Sequence, residues 1–457
     1  MKNDIYKKSP HFIQNLLISL YNLKANKIRF GGKYKKYRAE FESNRHSSIE
    51  ELKEIQAKKY TEFVNYVAKN SNFLKVRLVK IPDFDQINNL QGIPILSKQE
   101  LADNMDSINT INKTGIISQT GGTTGKSLKV YYTPDNIEER FALLDYFRSW
   151  YGYELGKKTA WFSGKDILTE KDLKINRFWK TDYYHNVRYY STFHIKNEYL
   201  KHYINDLIKY KPEYISGFPS SIAEIALFGL KNNIDFPENI IKAVFTTSET
   251  VTPQIRQNIE HFFKTDLYDQ YSASEGAPFI FECKNHRLHI EMQSGVLEVL
   301  DDNDNETQEG RLIVTSYTSY GTPLLRYDVG DRIQLSSGTC TCGNNNPLVE
   351  KILGRIDDFV FSPENGKINL GNISNVLKDI TGVHRMQIIQ NALDTIEVNL
   401  VIDRNRYSKK EEDALHNNFK LRLGKSMHIN MIYTDSIDVE KSGKFRLVKN
   451  SIKHLID

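Results

Sequence analysis

The sequence predicts an α/β protein with a large N-terminal part and a smaller α+β unit at the C-terminus. Between about residues 116 and 350, short apolar runs alternate with helical stretches, which is typical of a sheet with helices across its faces. The first 110 or so residues have a mostly helical pattern. Beyond Gly354 the pattern changes to a unit of about 100 residues, the size of a compact domain. We therefore expect a boundary at residues 355–358.

One helix of the N-terminal part has a recognisable start. Ser47 and Glu50 form a capping-box pattern. Apolar residues then recur at helical spacing, namely Ile49, Leu52, Ile55, Phe63, Val64 and Val67. The basic, tyrosine-containing segment 24–38 is compatible with a nucleic-acid or membrane patch, although such segments more often form solvated helical faces.

Strands are predicted in both parts of the chain. In the large part they are 159–162, 214–216, 243–246, 266–268, 296–300 and 312–314. Ligands of such sheets bind at strand ends. The aromatic insert 165–200 would line a pocket or form half-buried strands. The C-terminal unit is predicted as strand 359–361, helix 370–380, a strand around residues 396–402, helix 409–423 and strand 428–433.

Composition is that of a soluble globular protein. Of the 457 residues, 39% are hydrophobic and 26% are charged, which is close to the average of soluble proteins. A chain of this length is expected to form two or three domains. The net charge of +5, from 62 basic and 57 acidic residues, does not indicate nucleic-acid binding. No apolar run reaches about 18 residues and the start has no secretion signal, so we expect a cytoplasmic protein with no transmembrane segment. Three cysteines do not suggest a disulfide framework.

A glycine-rich loop occupies residues 118–127. Its glycines, hydroxyls and lysine would let backbone N–H groups and a cation surround a polyphosphate. The spacing is not that of a P-loop, because position 120 is Thr rather than Gly and the segment 128–132 suggests a strand instead of a helix. Taken alone, the loop is equally compatible with a glycine-rich hairpin or surface loop.

Four further segments follow this loop in order. They are 271–275 (Tyr-Ser-Ala-Ser-Glu), 327–331 (Tyr-Asp-Val-Gly-Asp), 354–358 (Gly-Arg-Ile-Asp-Asp) and 442–446 (Ser-Gly-Lys-Phe-Arg). Together with the loop, the chain resembles the adenylate-forming (acyl-AMP ligase) superfamily, in particular its phenylacetate-CoA ligase and CapK-like branch. Segments 191–194 and 217–221 are also similar to the CapK-type branch.

The resemblance implies a fold and a reaction. The fold would be a large multi-layer N-terminal domain, with a helical part at 1–115 and a nucleotide- and acid-binding core at 116–354, followed by a small mobile lid at 355–457. The reaction would activate a carboxylic acid by attack on the α-phosphate of ATP, giving an acyl-adenylate and pyrophosphate. Mg²⁺ and fixed cations would neutralise the phosphate charge.

Site roles follow from the resemblance. The β- and γ-phosphates of ATP would be held by the loop residues Thr120, Gly121, Gly122, Thr123, Thr124, Gly125 and Lys126. Tyr271 would pack on adenine and Ser274 would bond the α-phosphate. Glu275 would bind Mg²⁺, for which a hard carboxylate is suited. Asp331 would accept both ribose hydroxyls. Taken alone, these short segments are ordinary turns.

The C-terminal unit would complete the site. By resemblance, Arg355 contacts ribose or phosphate and Asp357 is the hinge of the lid. Lys444 would bridge the α-phosphate and the acid, a role that suits a compact charge on a flexible stem. The family often has proline where this chain has Ser127, so the phosphate-binding cation of the loop is Lys126 or Lys129.

Cysteine and histidine spacing suggests a metal. Cys283, His289, Cys340 and Cys342 form a Cys₃His set that suits tetrahedral Zn²⁺. With four protein ligands the ion would be structural. Some relatives of this branch are similar at these positions, and the alternative is three reduced cysteines.

The acyl acceptor stays open at this stage. The resemblance implies coenzyme A as the acceptor, or an amine or hydroxyl in capsular or surface polysaccharide biosynthesis. Aromatic residues between 161 and 218 favour a small or aromatic acid. A catalytically silent nucleotide-binding scaffold is the alternative outside enzymes, and the presence of Glu275, Asp331 and Lys444 counts against it. The oligomeric state is not indicated.

Overall fold

A computed structural model of the chain describes residues 3–111, 115–119, 128–165, 167–355, 359–369, 373, 375–377, 380–440, 445–452 and 455–456. Thirteen α-helices lie in these residues. They are α1 (Asn3–Lys8), α2 (His11–Arg29), α3 (Tyr34–Ser43), α4 (Ile49–Asn70), α5 (Asn72–Leu78), α6 (Lys98–Asp103), α7 (Met105–Ile108), α8 (Pro134–Ser149), α9 (Glu170–Lys174), α10 (Asn197–Tyr210), α11 (Pro219–Lys231), α12 (Pro253–Phe263) and α13 (Lys409–Leu423).

The described strands up to the C-terminal unit form three sheets. They are β1 (Ile116–Gln119), β2 (Lys129–Tyr132), β3 (Thr159–Ser163), β4 (Trp179–Asp182), β5 (Val187–Ser191), β6 (Tyr214–Gly217), β7 (Ala243–Thr246), β8 (Leu267–Tyr268), β9 (Gln270–Tyr271), β10 (Ile280–Glu282), β11 (Leu288–Ile290), β12 (Gly295–Leu300), β13 (Glu309–Ser316), β14 (Tyr327–Ser336) and β15 (Leu348–Arg355). The C-terminal unit adds β16 (Phe359–Ser362), β17 (Gly366–Asn369), β18 (Val383–Ala392), β19 (Thr395–Ile402), β20 (His428–Tyr433) and β21 (Val448–Asn450).

A six-stranded sheet of order β4-β5-β3-β6-β7-β8 positions the candidate site. Strands β5, β3, β6, β7 and β8 are parallel, and β4 pairs antiparallel with β5 at the edge. Helices α10, α11 and α12 contribute Ile204, Ile222 and Ile259 to an apolar cluster with this sheet. Helix α8 supplies Phe147 to a second cluster that contains Phe245 of β7. The sheet therefore has helices on both faces, as the α/β pattern predicts.

The seven-stranded sheet is antiparallel, with the order β12-β13-β14-β15-β11-β10-β9. Its apolar residues pack against α4 and α5 in the largest core cluster. Register irregularities interrupt the pairing of β14 with β15, between Arg332 and Ile333 and between Gln334 and Leu335. Such irregularities bend strands and increase their twist.

The C-terminal unit contains a four-stranded sheet of order β20-β19-β18-β21 that packs with α13 around Ile388, Val398 and Phe419. Helix α13 and strand β20 have the predicted bounds. Most of the predicted helix 370–380 lies outside the described residues, and Asn375–Leu377 forms one 3-10 turn. The α/β fold class is confirmed, whereas the mobility of this unit and the domain boundaries stay predictions.

The predicted start of α4 is wrong by one residue. Ser48, not Ser47, is the N-cap, and its hydroxyl accepts a 3.2 Å hydrogen bond from the Glu51 N–H. The Glu51 carboxylate accepts in return from the Ser48 N–H at 2.7 Å. The sequence offers both registers, and the helix uses the one in which serine and glutamate satisfy each other's orphan N–H groups. Among the helices described, none has the length and apolarity needed to cross a membrane.

Candidate active site

The carboxyl ends of the parallel strands gather polar residues at one edge of the six-stranded sheet. Strands β5, β3, β6 and β7 are parallel neighbours in this order. Thr192, Ser220 and Glu249 lie after the carboxyl ends of β5, β6 and β7. In open parallel sheets this edge is where ligands bind, because the connecting loops converge there. The segments around Thr192 and Ser220 resemble the CapK-type branch in sequence, whereas no sequence pattern indicates Glu249.

Several hydroxyl groups at this edge have no protein partner within the described residues. They are buried, and their oxygen atoms make no hydrogen bond: Thr192, Ser216 and Ser221. Buried polar groups in native proteins nearly always have a partner, and an unpaired one costs about 1–3 kcal/mol. These hydroxyls are therefore available to a small polar ligand or to water.

Tyr271 and Asp331 come together across the curved seven-stranded sheet. The Tyr271 hydroxyl donates a 2.6 Å hydrogen bond to Oδ2 of Asp331. Their strands, β9 and β14, are four positions apart in the sheet, which in a flat sheet would separate them by about 19 Å. Curvature of the sheet therefore brings two predicted nucleotide-binding residues together. Arg355 pairs with Asp331 through the backbone of β15, and its side chain lies outside the described atoms.

The loop that carries Ser274 and Glu275 is held by Arg140 of α8. The Arg140 guanidinium donates to the carbonyls of Gly276 and Ala277 at 3.0 and 3.2 Å, and it also bonds the Ser272 hydroxyl. Burial lowers the pKa of Arg140. The sequence does not indicate this role of Arg140, because the residues that it contacts are more than 130 positions away in the chain.

Strand β2 fixes the same loop from the other side. The Tyr132 hydroxyl donates a 3.0 Å hydrogen bond to the Ser274 carbonyl. Gly276 has φ +113°, and a Cβ there would lie 2.8 Å from the Tyr132 oxygen, so glycine is required. Strand β2 directly follows the glycine-rich segment 118–127 in the chain. Tyr132 therefore connects this segment to the loop of Ser274, the second segment predicted to bind phosphate.

Glu275 is buried and faces a cation. Its Oε1 lies 3.5 Å from Nζ of Lys98 at the start of α6. A buried carboxylate needs a counter-charge, which Lys98 supplies in part and a divalent cation could share. Glu275 therefore fits the predicted Mg²⁺ ligand, and Lys98 is a second residue that the sequence analysis missed.

Other predicted residues lie outside the described part of the chain. They are Thr120, Gly121, Gly122, Thr123, Thr124, Gly125, Lys126, Asp357 and Lys444. Lys129, the alternative phosphate-binding cation, lies on β2 opposite Gln119 and is exposed. The described residue next to Lys444 is Phe445, whose N–H donates a 2.7 Å hydrogen bond to Oε1 of Glu249. The other oxygen of Glu249 accepts from the Ser220 N–H at 3.1 Å.

The predicted metal ligands converge away from these residues. The ligand atoms of Cys283, His289, Cys340 and Cys342 all lie within 4.8 Å of one another. The Cys283 and Cys340 sulfurs are 3.7 Å apart, and the Cys342 sulfur is 3.5 Å from Nε2 of His289. Tetrahedral Zn²⁺ with ordinary bond lengths needs about 3.8 Å between two sulfurs and about 3.5 Å between sulfur and nitrogen.

The surroundings of this cluster also suit a metal. Nδ1 of His289 lies 3.1 Å from the Asn346 carbonyl, to which only an N–H can donate, so Nε2 keeps its lone pair. The Asn344 N–H donates to the Cys342 sulfur at 3.4 Å. Burial lowers the pKa of His289, which favours the neutral imidazole. The donor set therefore fits a structural Zn²⁺ with four protein ligands.

Comparison with solved structures identifies the fold. The chain superposes on a crystal structure of 2-hydroxyisobutyryl-CoA ligase in the postadenylation state, in complex with R3-HIB-AMP. The TM-score is 0.70, and the match covers 90% of this chain and 92% of that chain at 14% identity. The fold is thus that of adenylate-forming ligases.

Sequence relatives identify the family. Protein CapK of Staphylococcus aureus is 33% identical over an alignment of 464 positions. The alignment covers 99% of this chain and all of that protein. The chain belongs to the CapK family, and residues 360–451 match the model of the CapK C-terminal domain. A phenylacetate-coenzyme A ligase of Thermus thermophilus is 30% identical over 159 residues, or 33% of this chain and 36% of that protein. The predicted family resemblance is confirmed.

Proposed function

We propose that this protein activates a carboxylic acid with ATP, releases pyrophosphate and then transfers the acyl group to a second nucleophile. The observation that carries the proposal is the 2.6 Å bond between Tyr271 and Asp331, because it joins an aromatic ring and a carboxylate from distant segments. Asp331 would accept the ribose hydroxyls, and the Tyr271 ring would lie beside the adenine. Glu275 is on the same loop as Ser274, where both can face the phosphates.

Different residues would bind the phosphates, the metal ion and the acid during adenylate formation. Ser274 would bond the α-phosphate, and the loop residues 120–126 would hold the β- and γ-phosphates. Glu275 would hold Mg²⁺, which neutralises phosphate charge and so favours attack by the acid. Lys444 would contact the entering carboxylate and the α-phosphate together, offsetting the repulsion between two anions. The hydrogen bond from Phe445 to Glu249 supports this role of Lys444, because it holds Phe445, the next residue in the chain, at the carboxyl edge of the parallel sheet.

The acid would bind near the unpaired hydroxyls of Thr192, Ser216 and Ser221. These groups can donate to a carboxylate or to polar substituents, and they favour a small polar acid over a long alkyl chain. The aromatic residues between 161 and 218 predict a small or aromatic acid. Because Tyr183 and Tyr184 of the aromatic insert are exposed and Tyr189 and Tyr190 are buried in the core, an aromatic-lined pocket has less support.

For the second step we propose coenzyme A as the acceptor, as in the CoA ligases of this fold. The alternative is an amine or hydroxyl of a surface polysaccharide precursor. The full-length similarity to protein CapK is consistent with this alternative. A silent scaffold is disfavoured by the intact contacts around Tyr271, Glu275 and Asp331.

Pyrophosphate release tests the first step. Purified protein, ATP and Mg²⁺ are incubated with a panel of small carboxylic acids, with Glu275→Gln as the inactive control. We expect acid-dependent release that the variant lacks. No release with any acid would support the scaffold. Adding coenzyme A and detecting a thioester by mass spectrometry tests the acceptor, and adenylation without a thioester would favour the amine or hydroxyl.

A structural Zn²⁺ at Cys283, His289, Cys340 and Cys342 is part of the proposal. The cluster joins the β10–β11 hairpin to the segment between β14 and β15. It would therefore stabilise the curvature that brings Asp331 to Tyr271, without taking part in the reaction.

A further inference from the structure

Helix α2 has its polar face buried and its apolar face exposed. The buried residues of the helix are Gln14, Asn15, Ser19 and Asn22. The large exposed side chains are Phe12 (65% exposed), Leu16 (52%), Leu20 (54%) and Tyr21 (67%). Phe12, Leu16 and Leu20 are four residues apart, so they form one stripe along the helix. Surface helices of soluble proteins normally have the opposite arrangement.

The buried polar face has a structural reason. Strand β4 is an edge of the six-stranded sheet, and the side chains of α2 pair with its free backbone groups. The Thr181 N–H donates to Oδ1 of Asn15 at 3.1 Å, and the Tyr183 N–H donates to the Ser19 hydroxyl at 3.0 Å. These bonds cap an edge that would otherwise pair with another chain. They also fix the rotation of the helix, so its apolar stripe must face outward.

Positive charge surrounds this stripe. Residues 5–29, which include most of α1 and all of α2, contain five lysines and arginines and no aspartate or glutamate. Among them, Lys7, Lys8, Lys24 and Lys27 are exposed on α1 and α2. Tyr183 and Tyr184, directly after β4, are exposed as well. Apolar side chains, lysines and tyrosines on one surface are the composition of helices that lie in the membrane interface.

The charge decides between two occupants of this surface. A second copy of the chain packed about a two-fold axis would place the same lysines opposite each other, which is repulsive. An anionic lipid surface attracts each lysine and also takes up the apolar stripe. We propose that the surface formed by α1, α2 and residues 183–184 binds an anionic bilayer, with α2 lying parallel to the membrane plane.

Vesicle co-sedimentation of the full chain tests this proposal. The probes are vesicles of phosphatidylcholine alone and vesicles that also contain phosphatidylglycerol. We expect binding to the anionic vesicles at least about tenfold tighter than to the neutral ones, weakening as salt rises. The double variant Leu16→Glu/Leu20→Glu should bind anionic vesicles at least about tenfold more weakly. The matched control is Leu421→Glu, at an exposed leucine of α13, which should bind like the unmodified protein.

A charge variant separates lipid binding from any change in helix packing. Lys24→Gln/Lys27→Gln leaves the apolar stripe intact and should lower affinity for anionic vesicles by about 30-fold. Failure of the unmodified protein to bind anionic vesicles would overturn the proposal, as would unchanged binding by either double variant. Sedimentation velocity supplies the last outcome: a dimer that Leu16→Glu/Leu20→Glu turns into a monomer would show that a second copy covers the stripe instead.

Discussion

The Phe445 N–H donates a 2.7 Å hydrogen bond to Oε1 of Glu249, joining two residues that are 196 positions apart in the chain. Phe445 follows the proposed catalytic lysine, and Glu249 follows strand β7 at the carboxyl edge of the parallel sheet. Burial raises the pKa of Glu249, and its hydrogen bonds from Phe445 and Ser220 act in the opposite direction. One half-buried carboxylate thus links the C-terminal unit to the candidate site.

Replacing Glu249 should slow acid activation without abolishing ATP binding. Loss of a hydrogen bond to a charged group costs about 2 kcal/mol, so we expect kcat for pyrophosphate release to fall about 30-fold in Glu249→Ala. KM for ATP should change little, because the residue acts through the position of Phe445. Glu249→Gln keeps one acceptor oxygen and should be intermediate. A rise in KM for ATP with unchanged kcat would contradict a positioning role.

Lys444 is expected to be essential for the first step. Lys444→Ala should lower acid-dependent pyrophosphate release by orders of magnitude, because no other proposed cation contacts both anions. ATP binding, measured by calorimetry, should stay near normal. The matched control is Lys410→Ala, at an exposed lysine of α13 in the same C-terminal unit, which should be fully active. Unchanged adenylation in Lys444→Ala would remove the proposed role.

Regular elements could be predicted from local pattern, whereas long-range contacts could not. Helix α13 and strand β20 have the predicted bounds, and β3, β6 and β7 lie where short apolar runs indicated strands. Periodicity is a local property, so it is sufficient for such elements. Arg140 bonds Ser272, which is 132 residues away, and no local pattern specifies that contact. Tyr271, Glu275 and Asp331 were found only because their short segments resemble a family.

The two serines at the start of α4 show that local pattern does not fix the exact start of a helix. Ser47 and Ser48 are each followed three residues later by a glutamate, so both registers satisfy the capping pattern. The structure selects Ser48, and Leu52, Phe63 and Val67 are buried on the helix that follows. The local sequence pattern therefore locates the start of the helix only to within one residue.

Zinc should be found at about one ion per chain in protein purified without chelator. A strong chelator should lower the melting temperature, because four ligands from two segments would then no longer be cross-linked. Cys340→Ser should lose zinc and stability together. The matched control is His286→Ala, at a histidine near Cys283 that is outside the four-ligand cluster, and it should keep the metal. Sub-stoichiometric zinc in the unmodified protein would contradict the site.

Stability should depend on pH through Asp269, which lies between β8 and β9 beside the candidate site. Burial and, next, the nearby Glu282 carboxylate raise the pKa of Asp269 to about 7, while Arg256 of α12 acts in the opposite direction. The folded state therefore holds a proton that the unfolded chain releases near pH 4. The stabilising effect is complete below pH 4 and is lost as the pH rises to 7, by up to about 4 kcal/mol.

Asp269→Asn isolates this contribution, because the amide is neutral at every pH and can still accept the 2.8 Å hydrogen bond from the Thr246 hydroxyl. Urea unfolding at pH 5 and pH 8 gives the free energy of unfolding of both proteins. The unmodified protein should lose more stability than the variant between these values, since only its carboxyl must ionise in a buried site beside Glu282. Equal losses in the two proteins would show that Asp269 is already ionised at pH 5 in the folded state.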